Sequence, residues 1–188
     1  MPTRPTTPPD PPLSDGVVAL RPWTRADVPE LVAAIDGEIA RWLESVPQPY
    51  GEVEARAYVA YCERGWRGRG AETPFAVVDA ETGALLGSCG VHWLDPEQAL
   101  AEVGYWVRAE ARGRGVATRA TRLVAGWVLG TLRYERLQLR ADADNEASCR
   151  VAERAGFARE GVVRSVRWSR RQQRRIDVAM YSLLRSEL

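Results

Sequence analysis

Six consecutive residues, Arg112-Gly113-Arg114-Gly115-Val116-Ala117, combine small side chains with two guanidinium groups. An apolar run, Val103-Gly104-Tyr105-Trp106-Val107, precedes them, and a helical pattern begins at Thr118. A strand, a tight glycine turn and a helix start together expose several backbone N–H groups to an anion. Small residues let the backbone approach a diphosphate closely, and Arg112 and Arg114 add charge. The segment therefore reads as a pyrophosphate cradle. A dinucleotide fold would place G-x-G-x-x-G directly after the first strand, whereas these glycines fall late and the third is missing. The triphosphate P-loop is excluded, because it requires a lysine and all 26 basic residues here are arginine.

The elements around this turn follow from periodicity and punctuation. Residues 17–23 predict a first strand, and Thr24 with Asp27 predicts a helix start of capping-box type. Val28, Leu31, Val32 and Ile35 form the stripe of that helix. A second helical piece spans 38–43. A third spans 52–66, with Val53, Ala57, Tyr58, Tyr61 and Cys62 expected on one buried face, and Gly68 and Gly70 ending it. Strands are predicted at 74–78, 84–94 and 99–107, joined by turns at Glu81-Thr82-Gly83 and Asp95-Pro96-Glu97. A strong helix from Thr118 to Leu132 packs Leu123, Val124, Trp127, Val128 and Leu132 inward. A short strand at 137–140 follows. Next comes a helix at 146–155, capped by Asn145 and stopped by Gly156. Strands at 157–166 and 176–184, joined by an arginine-rich hairpin, close the chain. The order predicts an α+β (mixed α/β) single domain: a mostly antiparallel sheet of six to seven strands flanked by helices.

Composition narrows the function. At 188 residues, 45% apolar and 27% charged, the chain suits one globular domain. A net charge of +1 gives no global field for nucleic acid or anionic membrane. Cys62, Cys89 and Cys149 are widely spaced, with no metal or redox pairing, and read as reduced thiols of a cytoplasmic protein. No metal site is expected. His92 is the one histidine, and no nucleophile-elbow motif accompanies it, so it reads as a strand residue with an ordinary partner. No apolar run is long enough to span a bilayer. The proline-rich residues 1–15 read as a disordered leader before a domain at 16–188.

At this point the chain resembles the GNAT superfamily of acyl-CoA-dependent N-acyltransferases. The family signature [QR]-x-x-G-x-[GA] is matched by Arg112, Gly115 and Ala117. A second family segment, N-x-x-[SA] leading to a basic-x-G-F ending, is matched by Asn145-Glu146-Ala147-Ser148 and Arg154-Ala155-Gly156-Phe157. Within the superfamily, Glu102-Val103-Gly104-Tyr105-Trp106-Val107 and the opening ALRPWTRAD look most like the ribosomal-protein N-terminal acetyltransferases and related small-molecule acetyltransferases.

The resemblance implies acetyl-CoA as co-substrate and a primary amine as acceptor, either a peptide or protein N-terminus or a small molecule. It implies that Arg112, Gly113, Arg114, Gly115, Val116, Ala117 and Thr118 hold the pyrophosphate. The strand would offer N–H groups near Trp106 and Val107 to the pantetheine arm and thioester, with Tyr105 also in the cofactor site, and Asn145 would contact the cofactor as well as cap its helix. Glu102 is the candidate base, with a structural carboxylate paired to an arginine as the alternative reading. The family's frequent tyrosine four residues past N-x-x-[SA] is replaced by Ala152, leaving Ser148 to donate a hydrogen bond to the sulfur. Arg164, Arg167, Arg170, Arg171, Arg174 and Arg175 read as a solvated hairpin or as a docking edge for an acidic substrate. Trp42, Tyr50, Tyr58, Tyr61 and Trp66 fall in the segment that lines the acceptor side in the family, most of them expected in the core and one or two on the acceptor wall. An acyl-CoA-binding module without turnover is the alternative, supported by Ala152; nucleic-acid binding ranks third. Exposed edge strands near the C-terminus leave room for a homodimer.

Overall fold

The computed structural model describes residues 2–69 and 72–188. One eight-stranded sheet runs in the order β1-β2-β3-β4-β5-β6-β8-β7. Its strands are β1 (Leu13–Ser14), β2 (Val18–Pro22), β3 (Thr73–Asp79), β4 (Leu85–Asp95), β5 (Leu100–Val107), β6 (Arg136–Asp142), β7 (Ala158–Ser169) and β8 (Arg174–Leu184). Every neighbouring pair is antiparallel except β5 and β6. Seven of these strands coincide with the predicted ones; the eighth, β1, pairs Leu13 with Leu20 and Ser14 with Ala19. Two residues carry no periodicity, and they lie inside the stretch read as a leader. That stretch also contacts the domain at Arg4, whose Nη2 donates to the Leu94 carbonyl at 3.1 Å.

Helices cover both faces. On one side lie α1 (Val28–Ala34), α2 (Gly37–Trp42) and α3 (Glu52–Arg64); on the other lie α4 (Val116–Ala125) and α5 (Glu146–Arg154). Alternation along the strands feeds two cores. Phe75, Val77, Val91 and Val103 pack with α4 and with Ala152 of α5, while Ala76, Val78 and Leu85 pack with Leu31, Ala55 and Val59 of α1 and α3. Aromatic rings fill both layers: Phe75 sits between Trp66 and Trp127, at 4.8 and 5.5 Å between centroids, and Trp23 stacks on Trp106 at 6.1 Å.

The start of α1 is built as its sequence requires. Asp27 is buried, and its carboxylate accepts from the Thr24 N–H (2.8 Å), the Thr24 hydroxyl (3.0 Å) and both Nη atoms of Arg21. Burial alone would raise this carboxyl; the Arg21 and Thr24 donors together outweigh it and hold it below the ordinary carboxylate range.

Helix α3 differs from expectation. Its buried residues are Ala55, Val59 and Cys62, and Val53 is 76% exposed. The row Val53, Ala57, Tyr61 instead lines a cleft. A cleft wall and a core face are both apolar, so helical periodicity does not separate them. A widened turn over Gly65–Arg69 follows α3; Gly70, expected to break the helix, lies outside the described residues. Among the described residues no helix is long and apolar enough to cross a membrane.

Candidate active site

β5 and β6 run parallel for only three pairs, Leu100↔Arg136, Ala101↔Leu137 and Glu102↔Gln138, and then part. A cleft of about 1000 Å³ opens at the parting, reaching from α3 on one face of the sheet to α4 and α5 on the other. Every predicted site residue except Arg114 lines it.

The glycine turn enters this cleft from the α4 side. Gly113 (φ 75°) and Gly115 (φ 79°) are both left-handed, and a methyl on either would meet nothing within 4 Å. The glycines are therefore required by backbone conformation rather than by lack of space. Gly115 is the N-cap of α4, with no capping side chain and no acid in the first turn. The N–H groups of that turn are left open, and the helix dipole makes this end positive. Arg112 is oriented differently from the reading that gave it to the pyrophosphate. Its Nη1 and Nη2 donate to Glu38 and Asp36, each at 2.7 Å, and its Nε donates to the Val107 carbonyl at 3.1 Å. It ties the turn to α2.

On β5, the Arg108 N–H donates to the Leu86 carbonyl of β4 at 3.0 Å. Antiparallel alternation then turns the Trp106 N–H toward β4 and those of Tyr105 and Val107 toward the gap. Of the two residues expected to supply strand donors, Val107 turns its N–H to the cleft and Trp106 does not; the Tyr105 N–H takes that place, and Trp106 contributes its ring. Glu102 marks the parting point with its side chain 15% exposed. Its Oε2 accepts from Arg140 Nε (2.8 Å) and Gln138 Nε2 (3.0 Å), and its Oε1 accepts from Arg140 Nη2 (2.9 Å). This is the paired-carboxylate arrangement, with its acceptor positions engaged by three N–H donors.

Across the gap, Asn145 Oδ1 accepts the Ser148 N–H at 3.1 Å and so caps α5. The Ser148 hydroxyl lies 2.7 Å from the Tyr105 hydroxyl. Burial pushes the Tyr105 phenol well above its ordinary value against a smaller opposing effect from Ser148, so it stays protonated. Either hydroxyl can donate in this pair, and the Tyr105 O–H also reaches the Ser148 carbonyl at 3.4 Å; when Tyr105 donates, the Ser148 O–H is free to donate onward. Ala152 is fully buried in the core behind it, so no side-chain acid stands at that position.

The opposite half of the cleft is aromatic and acidic. Trp42, Tyr50, Tyr58, Tyr61 and Trp106 line it together with Glu54, Glu72 and His92, whereas Trp66 packs into the core. Burial raises the Tyr50 phenol to about 12. The hairpin arginines are mostly committed within the fold. Arg167 pairs with Asp142 at 2.7 Å and Glu44 at 3.5 Å, Arg174 pairs with Asp144, and Arg175 donates to the Ser165 carbonyl. Arg171 donates to the carbonyls of Ala40, Leu43 and Val46, fastening the hairpin tip to the end of α2. Glu72 and His92 had no place in the sequence reading of the site; no local motif signals either.

YdaF of Bacillus subtilis (strain 168), named provisionally as a ribosomal N-acetyltransferase, is 35% identical over 105 residues, 56% of either chain. A GCN5-related N-acetyltransferase from Brucella melitensis superposes with a TM-score of 0.81 at 27% identity, over 100% of this chain and 84% of that one. RimL, a ribosomal L7/L12 alpha-N-protein acetyltransferase in complex with coenzyme A, superposes with a TM-score of 0.81 at 20% identity, over 94% of this chain and 98% of that one, and shares the fold. In sequence the chain spans less than two thirds of the first curated relatives it matches, 62% and 56% of their lengths. The acetyltransferase (GNAT) domain model matches residues 18–158, from the start of β2 to the start of β7. The chain belongs to the acetyltransferase (GNAT) domain family.

Proposed function

We propose that this protein is an acetyl-CoA-dependent N-acetyltransferase acting on a primary amine in a ternary complex. One observation carries the reading: the sheet parts beyond Glu102↔Gln138, where the uncapped start of α4 opens into the same cleft. The residues present suit coenzyme A, since a positive helix end without a side-chain cap suits a diphosphate. A long gap edged by strand N–H groups suits the pantetheine arm. Bound acetyl-CoA would supply the thioester.

The chain's own residues then take separate tasks. The first-turn N–H groups of α4 and the backbone of Gly113 and Gly115 bind the diphosphate, and the Asn145 carboxamide nitrogen faces the arm. The N–H groups of Tyr105 and Val107 are aimed at the gap, where preorganised donors stabilise developing negative charge. Ser148, with Tyr105 donating to it, offers its proton toward the sulfur. Glu102, fixed by Arg140 and Gln138, anchors the parting point; a base role for it through water requires Arg140 to release an oxygen.

The acceptor half supports an amine with an apolar body. Aromatic rings and carboxylates attract an ammonium group, and the arginines expected to greet an acidic partner are mostly held by internal partners. Either a peptide N-terminus or a small amine meets this description. The test is thermal shift with acetyl-CoA, followed by a broad amine panel scored by release of free CoA. Stabilisation plus release on at least one amine is expected. No stabilisation at millimolar acetyl-CoA refutes the site, and stabilisation without release from any amine leaves a binding module.

A further inference from the structure

The acceptor half of the cleft contains an imidazole. β4 and β5 pair residue for residue from Gly87↔Val107 to Val91↔Val103, and then slip so that Trp93 faces Glu102. The residue left over is His92, the only histidine of the chain. A β-bulge of this kind turns its extra side chain away from the regular pleat. Here it lays the imidazole against Gly104 of β5: a methyl at 104 would stand 2.5 Å from His92 Cδ2 and 2.6 Å from Nε2. Glycine at 104 is what leaves room for the ring.

The other edge of the ring faces a carboxylate. His92 Nδ1 is 3.4 Å from Glu72 Oε2, and the Tyr61 hydroxyl neighbours the same carboxylate. Burial works to raise Glu72, but His92 and Tyr61 together hold it below the ordinary carboxylate range, so it is ionised at neutral pH. A carboxylate beside Nδ1 favours the tautomer that carries the proton there and leaves the Nε2 lone pair free. Nε2 is the atom over Gly104, two residues along the same face of β5 from the parting point at Glu102. Glu72, Tyr61, His92 and Gly104 all line the cleft. Among the described residues, the charged and titratable groups about this ring and carboxylate include Tyr58, Tyr61, Cys62 and Arg64 of α3, Glu72 itself and the Glu102–Arg140 pair.

We propose that His92 Nε2, oriented by Glu72 and Tyr61, is the base that takes the proton from the acceptor ammonium. An acceptor N–H bond breaks and an Nε2–H bond forms. Its electron pair stays on the amine nitrogen, and the positive charge passes to the imidazole. The imidazolium then returns its proton to water, to which the side chain is 44% exposed. Histidine is the side chain most often used for general acid–base catalysis. Glu102 is less suited, because its oxygens are engaged by Arg140 and Gln138. Glu72 and Tyr61 are positioning residues. The proposal rests on the N-acetyltransferase reading.

A single histidine makes the test direct. Nitrogen-15 NMR of the free protein is expected to show the Nδ1–H tautomer, which is expected to give way in Glu72→Gln. His92→Gln is expected to lower kcat/KM at neutral pH by about 100-fold or more while leaving the acetyl-CoA thermal shift unchanged. Glu72→Gln should move the acidic limb of the pH–rate profile to lower pH, and Glu72→Asp should restore part of it. Glu102→Gln should leave that limb in place. CoA release by His92→Gln with a wild-type profile overturns the base role alone, as does an Nε2–H tautomer insensitive to Glu72→Gln. No release from the wild type across the amine panel overturns the acetyltransferase reading and the base role with it.

Discussion

Gly104→Ala separates a packing requirement from a catalytic one. The new methyl would lie 2.5 Å from His92 Cδ2, whereas ordinary carbon contacts are about 3.5–4.0 Å, so the ring must retreat by about 1 Å. The obstacle is the end of a half-exposed side chain, and moving it off its rotamer costs about 0.5–1.5 kcal/mol. Removing a strand glycine returns about 0.5–1 kcal/mol of chain entropy. Net stability should therefore change by less than about 1 kcal/mol in urea melts. The ring, however, is displaced from its seat between Gly104 and Glu72, and misplacing a reacting group by 1 Å costs about 100-fold in rate. Gly87→Ala is the control: its methyl would strike the Trp106 carbonyl oxygen, a backbone atom that cannot step aside, and overpacking there costs about 1–3 kcal/mol. The assay pairs urea melts with kcat on the best amine from the acceptor screen, in wild-type and His92→Ala backgrounds. Gly104→Ala should be slow in the first background and nearly silent in the second. Equal slowing in both, or a stability loss as large as that of Gly87→Ala, refutes the reasoning.

Other perturbations probe the rest of the site. Ser148→Ala should lower kcat by up to about 100-fold, since it removes one donor to a good leaving group, and Tyr105→Phe should do less; unchanged kcat in both removes the hydroxyl pair from the reaction. Asp27 is held below its ordinary range, so its contribution to stability is full above that range and is lost as pH falls through the lowered value. Asp27→Asn should cost about 2 kcal/mol at pH 7 and flatten the acid limb of the stability curve; an unaltered limb in urea melts from pH 7 to 2 refutes this. Arg171→Ala frees the carbonyls of Ala40, Leu43 and Val46, and hydrogen exchange over residues 43–47 should speed up while the acetyl-CoA thermal shift stays constant. Exchange unchanged over 43–47 means the hairpin tip holds nothing.

The parts of the site legible in the sequence are those encoded within a few residues. The Gly113–Gly115 turn, the Asn145 cap with Ser148 three residues on, and the Thr24–Asp27 helix start each carry their geometry in local residue types. What stayed illegible depends on register and on long-range partners. Glu102 meets Arg140 only because β5 and β6 are adjacent. Arg112 looks like a phosphate ligand by motif, yet Asp36 and Glu38, over 70 residues earlier, take its guanidinium. His92 looks like any strand residue until a one-residue slip against β5 aims it into the cleft. The cleft-facing row of α3 passes for core because both are apolar.

Helix α2 has six residues, well short of the roughly 12 at which an isolated helix becomes even marginal. It keeps its shape because arginines clasp it from two directions: Arg112 at Asp36 and Glu38, Arg171 at its last carbonyls, and Arg167 at Glu44 just beyond. The ion pairs among these are partly exposed, and such pairs weaken as salt shortens the Debye length. The buried cores on either side of the sheet do not respond in that way. Since Ile39, Trp42, Leu43 and Val46 form part of the cleft wall, ionic strength is expected to act on this wall first: rising salt should slacken it while the sheet that carries it stays intact.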